Sequence, residues 1–187
     1  MRHATTRIVT ALAAFSLFFS GPGQTGLHVC YMVWQEKGDV KGHTKGLPQV
    51  ALAILPWQGG FLMQLRDNVP QIRGAWHWGL FGGHLDPGED PHTAVLRELL
   101  EELAYKAPSA ELFGTFWDLD VVRHIFEVPL VIPPTELVLS EGRDMQILSL
   151  EQIRDGFAFS PVEGLVRPIV PGIRTALLEY FQRKGLS

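Results

Sequence analysis

Residues 83–105 read GHLDPGEDPHTAVLRELLEELAY, and the fold and chemistry of the chain turn on this stretch. Asp90-Pro91 predicts a helix start: the Asp90 carboxylate can accept from free backbone N–H groups, and proline suits the first helical position. The helix is expected to run to about Leu103. Along it Leu96, Leu99, Leu100 and Leu103 recur at i, i+3, i+4 and i+7, an apolar stripe for a core. Glu98, Glu101 and Glu102 recur at i, i+3 and i+4, so their carboxylates share a face, expected to lie opposite that stripe. Like charges so spaced repel by a few tenths of a kcal/mol each, and Arg97, four residues before Glu101, offsets only part of this. Taken alone, the pattern reads more often as a solvated acidic face than as a metal site. It also suits Mg²⁺ or Mn²⁺, which prefer hard oxygen ligands. The preceding loop shifts the balance toward metal. Gly82-Gly83 lets backbone come close to a ligand, and a glycine carbonyl can serve as a further ligand. Glu89 sits just before the helix, where its charge suits the positive N-terminal dipole.

Outward from this stretch, the chain reads as short strands and two further helical segments. Residues 50–55 (VALAIL) are expected as a buried strand, and 61–65 (FLMQL) as its hairpin partner across the turn at residues 57–60. Residues 76–80 are short and aromatic and are expected as a strand. There Trp76, Trp78 and Leu80 would share one face, a pattern that favours core packing over base stacking. Further strands are expected over 112–117 and 121–130, with shorter ones at 137–139 and 146–148. Ser149, with Gln152 three residues on, predicts a capped helical turn. A last helix over about 171–184 carries Ile173, Ala176, Leu177, Tyr180 and Phe181 on one side. Short strands with two main helices predict a mixed sheet packed against helices.

The whole chain has 187 residues, 46% of them apolar, so one folded domain is expected and a chain disordered throughout is excluded. A formal charge of −4 disfavours nucleic-acid binding through a broad basic surface. The single cysteine, Cys30, excludes an intramolecular disulfide and a cysteine-built zinc site. Residues 8–19 (IVTALAAFSLFF) follow Arg2 and Arg7 and precede small residues, the shape of a secretory signal, too short for a comfortable membrane span. Against that, Phe18, Phe19 and Pro22 make a poor cleavage site. Residues 1–30 are therefore expected either as a signal-like segment or as an extension outside the core, with Met32 as an alternative start. A single domain is expected over 31–187.

The central stretch resembles the Nudix box, G-x5-E-x7-R-E-U-x-E-E-x-G-U, where U is a bulky apolar residue. Gly83, Glu89, Arg97, Glu98, Leu99, Glu101, Glu102 and Tyr105 fall in register. One position departs: Ala104 stands at the second glycine, where the chain is expected to leave the helix with φ > 0. The resemblance implies an α/β/α sandwich with a mixed sheet. It also implies hydrolysis of a nucleoside diphosphate linked to another group, such as a nucleoside triphosphate, an oxidised nucleotide, ADP-ribose or a nucleotide sugar. By it, Glu98, Glu101 and Glu102 would hold Mg²⁺, or Mn²⁺, with the Gly82 carbonyl. Arg97 would orient the glutamates, and Glu89 would tie the loop to the helix. A base would come from Glu98 or from a later loop carrying Glu141 and Asp144. The partner implied is a small nucleotide rather than nucleic acid, the setting cytoplasmic unless residues 1–30 direct export, and a homodimer is compatible with the family. Arg66, Arg73, Trp117, Arg123 and His84 are weaker candidates for the pocket. A Nudix domain that binds a nucleotide without cleaving it is the competing reading, although the complete carboxylate set speaks for catalysis.

Overall fold

Glycine and proline punctuation cuts the apolar runs into short strands, and alternation along those strands divides the core between two faces of a sheet. The structure, a computed structural model, describes residues 33–35, 44, 46–69, 74–117 and 120–185. The expectations for residues 1–30, Cys30, Met32 and Arg73 lie outside the described residues. The strands are β1 (Val33–Gln35), β2 (Gln49–Ile54), β3 (Pro56–Trp57), β4 (Gly60–Leu65), β5 (Trp78–Gly79), β6 (Phe81–His84), β7 (Glu111–Trp117), β8 (Val122–Glu127), β9 (Asp144–Ser149), β10 (Phe157–Ser160) and β11 (Leu165–Pro168). The helices are α1 (Pro91–Leu103), α2 (Leu150–Asp155) and α3 (Pro171–Lys184).

One sheet runs β1-β7-β8-β2-β6, with β2 and β8 parallel and the other neighbours antiparallel. A second sheet is built on β4, which pairs with β9 and with β3 and β5. Only Leu80 separates β5 from β6, so the two sheets meet there. Ala51, Ala53, Leu62 and Phe81 pack with Val95, Leu99 and Leu103 of α1. Their sequence neighbours Leu52, Ile54, Phe61, Met63 and Leu80 pack with Ile153 of α2 and Ile173, Leu177 and Phe181 of α3. The result is the expected mixed sheet between helices. Trp78, fully buried, donates its indole N–H to the Ala158 carbonyl at 3.1 Å, which ties β5 to β10.

Several expectations need correction. The hairpin between 50–55 and 61–65 is real only at its tip. Gln58 and Gly59, both with φ > 0, turn the chain between β3 and β4, and the Leu62 N–H donates to Leu55. Beyond that bond the strands part, because β2 is claimed on both edges by β6 and β8. Trp76 is not in a strand. It has φ +60 in the turn before β5, and its ring lies under the Arg167 guanidinium at 4.2 Å. Residues 137–139 form no strand. They follow a short 3₁₀ turn, into which Leu137 donates at Pro134, and the Val138 N–H donates to the Leu103 carbonyl at the end of α1. In the α1 stripe, Leu99 and Leu103 are fully buried, but Leu100 is 55% exposed. Ala94 and Val95 take the place in the core that Leu100 was expected to fill.

The helix ends agree with the local chemistry. Asp90 accepts from the backbone of His92 and Thr93, and Ser149 and Gln152 form a reciprocal capping box. Ala104 closes α1 in the left-handed region, φ +52 and ψ +27. A Cβ there costs about 1 kcal/mol relative to glycine. Ala104→Gly is therefore expected to raise the unfolding free energy by about 0.5–1 kcal/mol, read by urea titration. An unchanged or lower midpoint would contradict the strain.

Candidate active site

The site is assembled where the β6 loop meets the exposed flank of α1. Gly82 has φ +120, and a Cβ placed on it would lie 2.1 Å from the Ala51 carbonyl oxygen. Only glycine fits between β2 and this turn of chain. Its N–H donates to Glu102 Oε2 at 2.8 Å. Gly83 follows under Glu98, whose Oε1 lies 2.7 Å from where a Cβ would stand. The two glycines thus let α1 settle with its carboxylates against backbone.

Arg97 organises the opposite side. Its Nε and Nη2 donate to the two oxygens of Glu89, each at 2.9 Å. Nη1 donates to Glu98 Oε1 at 2.9 Å and to Glu101 Oε2 at 3.1 Å, and Nη2 also reaches the His84 carbonyl at 3.1 Å. Glu89 in turn accepts from the Asp86 N–H at 2.9 Å, which closes the loop onto itself. A bidentate guanidinium–carboxylate pair is both strong and directional. The Arg97 hydrogen bond, with that of Asp86, holds the Glu89 carboxyl below its ordinary range. Those same carboxylates, the Glu89 hydrogen bond foremost, raise the pKa of Arg97.

The three helix glutamates differ in surroundings. The Glu101 side chain is 57% exposed and the Glu98 side chain 15%. Glu102 is 5% exposed, so the carboxylates do not simply lie opposite the apolar stripe; the last one is part of the interior. Burial raises the Glu98 pKa above its ordinary value, against the pull of Arg97. Burial likewise pushes Glu102 up to about 7, with the charges of Glu98 and Glu141 adding to the effect and the bonds from Gly82 and Gln64 opposing it.

Among the described residues, no three histidine, cysteine or acidic side chains converge as a preassembled metal cage. Glu98 and Glu101 turn toward Arg97, and Glu102 turns toward Gly82. The donor set nonetheless fits a hard divalent cation. It offers carboxylate oxygens on rigid backbone, and Glu102 is a buried acid met directly by neutral donors, the Gly82 N–H and the Gln64 amide.

The other candidates separate clearly. Glu141 is exposed, yet its charge acts on Glu98, Glu102 and Arg66. Asp144 is buried and occupied, accepting from Ser160, Gln146 and the Met145 N–H. Arg66 lies close enough to feel Glu102, and its Nε is buried with no hydrogen-bond partner among the described residues. Its pKa is lowered by burial, against the pull of Glu102 and Asp67. Trp117 and Arg123 are on β7 and β8, beyond β2 from the box loop. The His84 side chain is exposed, and its backbone rather than its ring joins the network. Gln64, which the sequence did not single out, donates to Glu102. A lone polar residue in an otherwise apolar strand was the available signal.

A family model described as the NUDIX domain matches residues 47–164, which span all of this network. The chain belongs to the NUDIX family. A curated relative, "Putative 8-oxo-dGTP diphosphatase" of Bacillus subtilis (strain 168), is 33% identical over 63 residues, 32% of this chain. The matched region spans 42% of that relative's length. Solved structures extend the likeness of fold. MutT protein from Methanosarcina mazei Go1 superposes with a TM-score of 0.54 at 22% identity, over 75% of this chain and 96% of that one. MutT NUDIX hydrolase from Burkholderia pseudomallei gives 0.55 at 22% identity, over 72% and 98%. The Bacillus subtilis pyrophosphohydrolase BsRppH gives 0.55 at 16% identity, over 84% and 94%. The NUDIX fold thus accounts for the mixed sheet, the helix and the glycine loop together. No helix among the described residues is long and apolar enough to cross a membrane.

Proposed function

We propose that the protein is a divalent-metal-dependent hydrolase that cleaves the pyrophosphate linkage of a nucleoside diphosphate derivative. The observation that carries this reading is Glu102, a nearly buried acid with a raised pKa, beside the Arg97-ordered pair Glu98 and Glu101. A surface acidic stripe has no need of such burial. Glu98, Glu101, Glu102 and the Gly82 carbonyl would hold Mg²⁺, or Mn²⁺. When bound, the metal neutralises pyrophosphate charge and lowers the pKa of a water. Arg97, braced by Glu89, holds Glu98 and Glu101 in defined positions on α1, from which they would turn to meet the cation. Gly82 holds Glu102. We assign Glu141 to take the proton of the attacking water, because Glu98 is engaged by Arg97 and Asp144 by Ser160. Residues 31–187 act as one domain in this reading, on a small nucleotide in the cytoplasm and not on nucleic acid.

The test is a product-release screen of the purified chain with Mg²⁺ and with Mn²⁺. The panel covers nucleoside triphosphates, oxidised nucleotides, ADP-ribose and nucleotide sugars. The name of the Bacillus relative puts 8-oxo-dGTP first. Turnover of at least one substrate, reduced about 100-fold or more in Glu101→Gln, is expected. Equal turnover in that variant would overturn the metal mechanism. Tight nucleotide binding without product under any metal would replace hydrolysis with binding as the function.

A further inference from the structure

We infer that Gln64 is a positioning residue of the site, holding the Glu102 carboxylate from below and seating the loop that carries Glu141. This inference rests on the metal-site reading of Glu102. Gln64 lies on β4, 3% exposed, with apolar Leu62, Met63 and Leu65 around it. A buried amide without partners costs about 1–3 kcal/mol, so its bonds explain why the position tolerates it. Its Nε2 lies 3.3 and 3.4 Å from the two oxygens of Glu102 and 3.4 Å from the Leu80 carbonyl. All three neighbours accept, which fixes the amide with its NH₂ toward Glu102. Glu102 is then held by two donors, the Gly82 N–H on Oε2 and Gln64 across both oxygens.

The other end of the amide meets the later loop. Gly142 has φ +90, and a Cβ there would stand 2.9 Å from Gln64 Oε1 and 3.0 Å from the Leu65 carbonyl. The loop is laced to the same two elements. Ser140 N–H donates to the Glu102 carbonyl at 2.8 Å, Arg143 N–H to Leu65 at 2.8 Å, and Gly142 N–H to Asp67 at 3.2 Å. Glu141 sits within this lacing. The Gln64 amide thus lies between the helix carboxylate and the backbone of the loop that carries Glu141, although Gln64 itself need not touch substrate.

The experiment is Mn²⁺ titration of the purified full chain without nucleotide, by calorimetry, with the melting temperature of each metal-free sample recorded beside it. Gln64→Met keeps the side-chain length and removes the amide, and Gln64→Leu serves if Met does not fold. The expected result is a dissociation constant for Mn²⁺ raised about tenfold in the folded variant, with kcat reduced and KM for nucleotide little changed. Mn²⁺ affinity within about twofold of wild type in the folded variant, Gln64→Met or Gln64→Leu, overturns the inference. Glu102→Gln separates the two failures. If it abolishes Mn²⁺ binding while the Gln64 variants do not, only the role of Gln64 falls. If wild type binds no Mn²⁺, or Glu102→Gln leaves binding unchanged, the metal-site reading falls and this inference with it.

Discussion

Glu102→Gln is expected to yield a protein that is more stable without metal at pH 8 and about a thousandfold less active with it. The stability half follows from proton linkage. The Glu102 pKa is raised from an ordinary 4.5 to about 7, chiefly by burial. Between those values the folded chain keeps a proton that the unfolded chain has released. Unfolding then exposes a stronger acid, so the Glu102 contribution to metal-free stability falls as pH rises from about 4.5 to about 7 and is level above that. The full shift corresponds to about 3–4 kcal/mol as an upper bound, since one pKa unit is worth about 1.4 kcal/mol. Glutamine keeps the shape and an oxygen for the Gly82 N–H but carries no charge to bury. A gain of about 1–3 kcal/mol at pH 8 and none near pH 4.5 is expected, measured by urea denaturation in EDTA at about both pH values. A loss of stability at the higher pH would contradict the buried-acid account. The activity half follows from the proposed ligand role, because charge stabilisation by a bound metal is worth several kcal/mol in the transition state. Metal binding should reverse the order of stability, since only wild type gains from it. A protein that is less stable for keeping its working residue is what a functional site predicts.

Gly82→Ala is expected to cost about 4 kcal/mol and to remove any turnover. The added Cβ would lie 2.1 Å from the Ala51 carbonyl oxygen and 3.0 Å from the Leu52 Cα, both backbone of a strand hydrogen-bonded on both edges. Such neighbours cannot rotate away. Backbone strain at φ +120 adds to the overlap, each contribution being worth about 1–3 kcal/mol. Relief would require β6 to draw away from β2, which takes the Gly82 N–H off Glu102. Thermal unfolding and turnover should therefore fall together. A variant that melted within about 2 °C of wild type would mean that the strands yield more easily than their pairing implies. Gly83→Ala offers a milder comparison, because its Cβ meets the Glu98 side chain rather than backbone.

Local chemistry alone places several of these elements. The limits of α1, its Asp90 cap and the capping box at Ser149 rest on contacts within a few residues and stand where the sequence puts them, and the buried face of α3 follows its periodicity. Ala104 is the same case: the pattern asks for glycine there, and the chain adopts φ +52 without it. Arg97, Glu98 and Glu101 also meet within one turn of helix. The departures fall where a second element decides. Leu100 has the right spacing for the core but faces solvent, because the sheet lies under Val95 and Leu99 instead. Trp76 alternates correctly with Trp78 but precedes the strand. β10 and β11 are hard to see in the sequence because Phe157, Phe159 and Val166 stay exposed while Ala158 and Ser160 are buried, the reverse of an ordinary amphipathic strand.

The spacing of charged residues from Arg97 to Glu102 established a set of acids on one helix with one arginine among them. Periodicity alone can do this, because a helix fixes which side chains are neighbours. The unequal roles of those acids came from tertiary packing. Glu102 is buried, and Glu101 is not, because β4 and the glycines of β6 close over one flank of α1 only. Burial changes the free energy of a charge, and burial depends on residues 20 and 38 positions away, Gly82 and Gln64.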